Sequence, residues 1–460
     1  MVERRPGGQA MTITARAGAA ARVTDEFNRS AEPLRNALRE ADLPPAYAAC
    51  WREHLLSRPM FVDEDDLLGA ADDVLAFFDL LTDLPRRLFD GDREAYCAAL
   101  GITGRRGEIL RRFATGPGSR YGRADLYHDG TGFRLLEFNV ASDLGGTDRA
   151  ELQRALLRHP RFGAFAVRHH LSYVDTSERL AHALRASVAP AGEPLPVALV
   201  CAAGGLGRYR RLIEAVRESL PHYGVDLHLA ELSDVTEAAG TVIVAGRPVR
   251  AVLRFFTVDD LLDDPAAAGR AELLFRAHEE DRLLLFTPMD SSLYSNKGAL
   301  ALLSAAPREL LTGSERDLLS RLLPWTRLIR GDTGLVDACR AERESLILKP
   351  LRECGGAGIV VGWESTDREW AAALAAAAAD TAGGGAIVQR RVRPRAEPVV
   401  DPETGELGEW VASWGVFVTP QGYAGTDVRA LPDGAGAVLN YGINRRTRVT
   451  GVFTVPAPRI

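Results

Sequence analysis

Leu346-Ile-Leu-Lys349-Pro-Leu-Arg-Glu353-Cys-Gly355-Gly356-Ala-Gly358, followed directly by Ile-Val-Val, reads as a strand, a glycine loop and a second strand. Apolar, β-prone residues flank the loop, and its glycines are free to take left-handed conformations. Lys349 stands at the base of the loop. It is one of only two lysines among 56 basic residues, the other being Lys297. A compact ammonium between phosphate oxygens is a task for which the broad arginine fork is a poor substitute, so these two are the first functional candidates. A Walker A loop needs a glycine four residues before Gly-Lys-Ser/Thr and a helix after it, and neither lysine has that setting. The stretch is therefore a glycine hairpin able to fold backbone N–H groups over phosphates, with Lys297 approaching from a separate element.

Outward from the hairpin, Tyr294-Ser-Asn296-Lys297-Gly298 precedes an apolar run over 299–305, which places Lys297 at the start of a helix, where backbone N–H groups also attract anions. Downstream, Thr366-Asp-Arg-Glu369 is a capping-box pattern opening a helix over 366–379. A Gly383-Gly-Gly turn, a strand at 386–389 and later strands at 414–418 and 438–441 follow. Far upstream, Asp129-Gly130 marks a hairpin turn before Phe133-Arg-Leu-Leu-Glu137-Phe-Asn139-Val. Strict alternation sets Phe133, Leu135, Glu137 and Asn139 on one face, so two oxygen-bearing side chains end an otherwise apolar row. Mg²⁺ takes oxygen ligands, usually one or two carboxylates plus substrate phosphates, and Glu137, Asn139 and Glu353 would supply that set. Ser142-Asp-Leu-Gly145-Gly146-Thr then forms a tight loop ahead of a helix over 151–157.

The middle of the chain has the texture of an α/β unit. A buried strand at 196–201, a glycine turn at 204–207 and an amphipathic helix over 208–220 are followed by strands at 225–229, 241–244 and 249–256, with a further short strand at 283–287. The third glycine of a dinucleotide fingerprint is replaced by Arg210, which favours a Rossmann-like structural layer over a nicotinamide or flavin site. Residues 23–112 carry apolar positions at helical spacing and no recognisable chemistry.

At 460 residues the chain is long enough for two or three cores. Its net charge of -6 and interspersed charges argue against nucleic acid as a partner. Five dispersed cysteines without a CxxC suit a reducing compartment, the nine histidines lack zinc spacing, and no apolar run approaches 18 residues. The expectation is a cytoplasmic protein without membrane insertion.

With these patterns in place, the chain resembles the circularly permuted ATP-grasp ligases, in particular the eukaryotic-type glutathione synthetases and, more distantly, glutathionylspermidine synthase. The resemblance rests on Lys349-Pro350-x-x-Glu353-x-Gly355-Gly356 and on Glu137-x-Asn139 with Ser142 and Gly145-Gly146 behind it. The metal strand precedes the glycine loop, whereas in unpermuted ATP-grasp chains it comes last. The resemblance implies an α/β (α+β) ATP-grasp fold, circularly permuted, with a Rossmann-like substrate domain and an N-terminal helical region. It divides the chain into a disordered tail (1–20), a helical region (21–125), a permuted segment carrying metal ligands (126–195), a substrate domain (196–290) and a nucleotide-binding domain (291–460).

The resemblance further implies that ATP and Mg²⁺ are the cofactors. Glu137, Asn139 and Glu353 would bind the metal; Lys297, Lys349, Gly355 and Gly356 the phosphates; and the hinge containing Gln389, Arg390 and Val392 would meet the adenine through backbone groups. Arg254 and Arg429 resemble the family's arginines for the substrate carboxylate and acyl phosphate. The implied reaction joins a small-molecule carboxylate, an amino acid or small peptide such as a γ-glutamyl compound, to an amine, and a homodimer is compatible with it. An ATP-grasp kinase and a non-catalytic nucleotide-binding protein are the alternatives. Cys354 stands where the family has glycine, and the hinge lacks the acidic residue that often meets the ribose.

Overall fold

The glycine stretch forms the expected hairpin. Leu346–Pro350 and Val360–Val361 are antiparallel strands in register Ile347 with Val361 and Leu348 with Val360. Between them Gly355, Gly356 and Gly358 take positive φ of 63°, 86° and 67°, a conformation that a side chain would strain. The computed structural model from which this description is drawn describes residues 18–113, 120–188, 194–330, 333–353, 355–380, 385–440 and 442–457. Cys354, Gly383 and Gly384 lie outside the described residues.

The hairpin belongs to a four-stranded antiparallel sheet in the order Thr326–Ile329, Ala386–Arg390, Leu346–Pro350, Val360–Val361. One face is covered by the helices Thr333–Ala341 and Asp367–Ala379, where Leu346, Leu348 and Val388 pack against Trp370 and Leu374. Because strand side chains alternate, Ile347 and Lys349 point to the opposite face. The Asp367–Ala379 helix opens with the anticipated capping box: Thr366 accepts from the Glu369 N–H while Glu369 accepts from the Thr366 N–H. The turn after Val361 tolerates no side chain at Gly362, where a Cβ would stand 2.1 Å from the Arg343 carbonyl oxygen and 2.6 Å from that of Leu346. Backbone cannot yield as a side chain can, so Gly362→Ala is expected to destabilise the protein by about 2–3 kcal/mol, read as a lowered urea midpoint.

Facing this sheet is a larger antiparallel one in which strands from opposite ends of the chain meet. Its order is Arg448–Thr450, Gly422–Pro432, Leu407–Thr419, Gly122–His128, Phe133–Val140, with Ala396–Val400 also paired to Leu407–Thr419. Its covered face packs on the helix Glu64–Thr82, with Phe138 against Phe78 at 4.9 Å between ring centroids. The expected alternation in Phe133–Val140 is broken. Asp125 pairs with Glu137 and Leu126 with Leu135, leaving Leu136 as the extra residue of a β-bulge. Phe133 and Leu135 are buried, and so, beyond the bulge, are Phe138 and Val140. Glu137 and Asn139 are thereby turned to the face opposite Phe133 and Leu135.

A four-stranded parallel sheet, Leu284–Phe286, Ala251–Phe255, Leu195–Cys201, Val225–Glu231, forms the Rossmann-like layer. Helices fill much of the N-terminal part, which also holds Met60–Asp63, a buried strand that helical periodicity did not anticipate, paired in parallel with Val452–Val455. Its partner lies almost a chain length away, and four residues are too few to display a period. The first helix begins at Ala19, inside the expected tail. Val438–Asn440, expected as strand, is irregular. Among the described residues no helix is long and apolar enough to cross a membrane.

Candidate functional site

Between the two antiparallel sheets lies a cleft of about 290 Å³. Its lining mixes charged residues, among them Asp125, Glu137, Lys349 and Arg429, with apolar ones such as Ile347, Ile359, Trp363, Val392, Val438 and Leu439. Gly355 and Gly356 line the wall from the hairpin. A ligand that joins an anionic group to a flat apolar one matches that mixed lining.

Lys349 is the buried cation of the lining. Its Nζ donates to the Leu136 carbonyl at 2.9 Å and to Gln389 Oε1 at 2.8 Å, and the residue is only 5% exposed. Leu136 is the bulged residue, so the local break in pairing accompanies the use of its carbonyl by the lysine. Burial pushes the ammonium down to about 8; Glu137 opposes this and Lys297 adds to it.

Lys297 begins the helix Lys297–Ser304, after an Asn296 cap that accepts from the Gly298 N–H. Its Nζ lies 3.6 Å from Glu137 Oε2 and donates to the Glu353 carbonyl oxygen at 2.7 Å. One cation thus ties the metal-ligand candidate on the large sheet to the loop of the small one. Asn139 Nδ2 donates to Glu137 Oε1 at 3.2 Å. Glu353 reaches this group through its backbone; its side chain is exposed. Among the described residues no three His, Cys, Asp or Glu side chains converge. The oxygen pair Glu137 and Asn139 therefore fits a Mg²⁺ that completes its shell with phosphate oxygens and water better than a cation wholly caged by protein.

The hinge is only partly as the sequence suggests. Gln389, Arg390 and Val392 all line the cleft. The backbone of Gln389 is laddered to Thr326 on one side and Ile347 on the other, and its side chain is held by Lys349 and Thr326. Arg390 turns to Glu342 at 2.6 Å. Arg391 lays its guanidinium over the Trp363 ring, 4.0 Å from the centroid, so a stacked cation also lines the cleft.

The two arginine candidates part company. Arg429 lines the cleft, donating from Nη2 to Asp125 Oδ2 at 2.8 Å, while its buried Nε has no hydrogen-bond partner among the described residues. Arg254 is not among the residues lining the cleft. It is buried beneath the loop that follows Phe133–Val140, with its guanidinium on the Thr287 carbonyl at 2.7 Å, Ser291 Oγ at 2.9 Å and the Phe256 carbonyl. Ser142 Oγ donates to the Arg254 carbonyl at 2.6 Å and accepts from the Thr287 N–H at 3.0 Å, making this a structural knot at the end of the parallel sheet.

Sequence reasoning missed Asp125 and Arg123. Arg123 grips Asp125 with Nε at 2.8 Å and Nη2 at 3.1 Å. Burial disfavours the Asp125 carboxylate, but Arg123 and Arg429 more than offset it and hold the carboxyl well below its ordinary range. The signal available was Arg-x-Asp on a strand, two opposite charges on one face. Trp363, just beyond the hairpin, had no signal.

No model of a known protein family matches the chain, and no curated protein matches its sequence. Among solved structures, a glutathione synthetase-like effector from Globodera pallida in its apo form superimposes with a TM-score of 0.53, covering 87% of this chain and 90% of that one at 11% identity. The chain thus has a glutathione synthetase-like fold. A Methylobacillus flagellatus protein described as a γ-glutamylcysteine synthetase matches at TM-score 0.44 and 14% identity, over 82% of this chain and 86% of that one. A D-cycloserine synthetase matches at 0.28 and 16%, over 57% and 92%. At those scores neither adds to the fold assignment.

Proposed function

We propose that this protein is an ATP-dependent carboxylate–amine ligase built on a circularly permuted ATP-grasp fold. The observation that carries the proposal is the meeting of Lys349, Glu137 and a glycine hairpin in one cleft, with Lys297 and Asn139 held against Glu137 at its edge. The fold shared with a glutathione synthetase-like protein supports it. The permutation reading is supported by the strands at 122–140, which precede the glycine hairpin in sequence yet complete the sheet formed by residues 407–432.

In this reading Lys349 and Lys297 hold the phosphates of ATP, with backbone N–H groups of Gly355 and Gly356 above them, and the slot between Ile347 and Leu439 holds the base. Mg²⁺, carried by Glu137 and Asn139 with phosphate oxygens, would neutralise charge on the transferring group. The substrate carboxylate oxygen attacks the γ-phosphorus and ADP leaves; the amine nitrogen then attacks the acyl carbon, loses a proton, and phosphate leaves. Arg429, a guanidinium lining the cleft and steadied by Asp125 and Asp427, is placed to meet an anion there. Closure of the hairpin excludes water that would hydrolyse the acyl phosphate. An amino acid or small peptide is the acyl donor by analogy with the fold.

The experiment is a panel of amino acids, γ-glutamyl compounds and amines assayed for phosphate release, with mass spectrometry of the products. ADP and phosphate are expected only when a carboxylate and an amine are both present. A stable phosphorylated product formed without an amine would replace the ligase by a kinase.

A further inference from the structure

Resting on the nucleotide reading above, we infer that Gln389 and Thr326 are positioning residues that aim the Lys349 ammonium at the phosphates, and that the Gln389 side chain does not read the base. The direction of each hydrogen bond in the chain fixes the next. Thr326 Oγ1 donates to the Pro324 carbonyl at 2.8 Å, which leaves its lone pairs for Gln389 Nε2, received at 3.2 Å. The glutamine amide is thereby oriented with Oε1 toward Lys349 Nζ at 2.8 Å. The reversed amide would set N–H₂ against an ammonium, donor against donor, in a place with little water.

The Leu136 carbonyl takes a second N–H of Lys349 at 2.9 Å. An ammonium has three donors, so two fixed acceptors leave one for the cleft that Lys349 lines. Thr326 is 0% exposed and Gln389 1%, so neither is free to re-form these bonds with solvent. The elements that hold the lysine come from both sheets: the bulge carbonyl from the large one, the glutamine and threonine from the small one. Movement of one sheet against the other would therefore re-aim the lysine.

The test is calorimetric binding of ATP, ADP, AMP and adenosine to the wild type and to Gln389→Met, Thr326→Val and Thr326→Ser. Gln389→Met keeps length and bulk without the amide; Thr326→Val removes the hydroxyl and Thr326→Ser keeps it. Met at 389 and Val at 326 are expected to weaken ATP and ADP about tenfold or more, the scale of a hydrogen bond to a charged group, with AMP and adenosine within about twofold of wild type. Thr326→Ser should restore wild-type affinity. Equal losses for all four ligands would overturn the inference and return Gln389 to the base site, and unchanged ATP affinity in Gln389→Met would overturn it outright. If Gln389→Met fails to fold, the two Thr326 variants make the same distinction. Failure of the wild type to bind ATP would instead reject the nucleotide reading, and this inference with it.

Discussion

Lys349→Met is expected to lower ATP-dependent turnover about 100- to 1000-fold, the scale on which one preorganised electrostatic contact to a transferring group acts. The loss should not be a folding effect. The substitution strands the Leu136 carbonyl and Gln389 Oε1, each at a cost of about 1–3 kcal/mol, but it also removes a charge that burial disfavours. Thermal melting in parallel with the assay separates the two effects. Lys349→Arg and Lys297→Arg should impair activity too, because a planar guanidinium cannot sit where a compact ammonium meets the Leu136 carbonyl and Gln389, or Glu137 and the Glu353 carbonyl. The pH dependence gives a second reading. With Lys349 pushed down to about 8, the ammonium that phosphates require is present below that pH and lost above it. The kcat/KM for ATP should therefore fall through a basic limb near 8, while the limb in kcat lies higher, since a bound triphosphate stabilises the charged form. A kcat/KM flat from about pH 7 to 9.5 would mean that Lys349 lends no charge to the nucleotide.

The hairpin, the Lys297 helix start and the Thr366 capping box were legible because each is a local pattern whose partners lie within a few residues. The features that aim the site were not. The bulge at Leu136 reverses the face on which Glu137 and Asn139 lie, and strict alternation had placed them with Phe133 and Leu135. Nothing in Phe-Arg-Leu-Leu-Glu-Phe-Asn-Val marks an extra residue; the register is set by the neighbouring strand Gly122–His128. Gln389 was readable as part of the strand beside the hinge, but not as the residue holding Lys349, because that bond joins neighbouring strands of the sheet. Arg254 and Arg429 carry the same expectation in sequence, although only Arg254 falls on an expected strand. Only packing shows that the first bonds a backbone knot and the second turns into the cleft. Short sequence patterns thus identified the charges, and tertiary register determined where they point.

Asp125→Asn is the change expected to cost most stability. Its carboxylate is buried, gripped by Arg123 from its own strand and by Arg429 from 304 residues away, and the same chain of charges continues from Asp427 to Arg149 at 2.7 Å. Removing the shared charge from such a buried set leaves Arg123 with the Gly145 carbonyl and Arg429 with Asp427 at 3.9 Å as their remaining partners, a loss of about 3 kcal/mol. The sign with pH follows from the depressed carboxyl: its stabilisation is fully present above the unfolded value, about 4, and is lost as pH falls through the lower folded value. Urea midpoints of wild type and variant should therefore differ most at pH 7 and draw together as the pH falls below about 4. Arg429 would also lose the contact that holds its Nη2, so under the proposed ligase reading the surviving folded protein should show a raised KM for the carboxylate with a smaller change in KM for ATP. Equal midpoints at pH 7 would mean that the two arginines are held by something other than this carboxylate. A raised KM for ATP alone would move Arg429 from the substrate to the nucleotide.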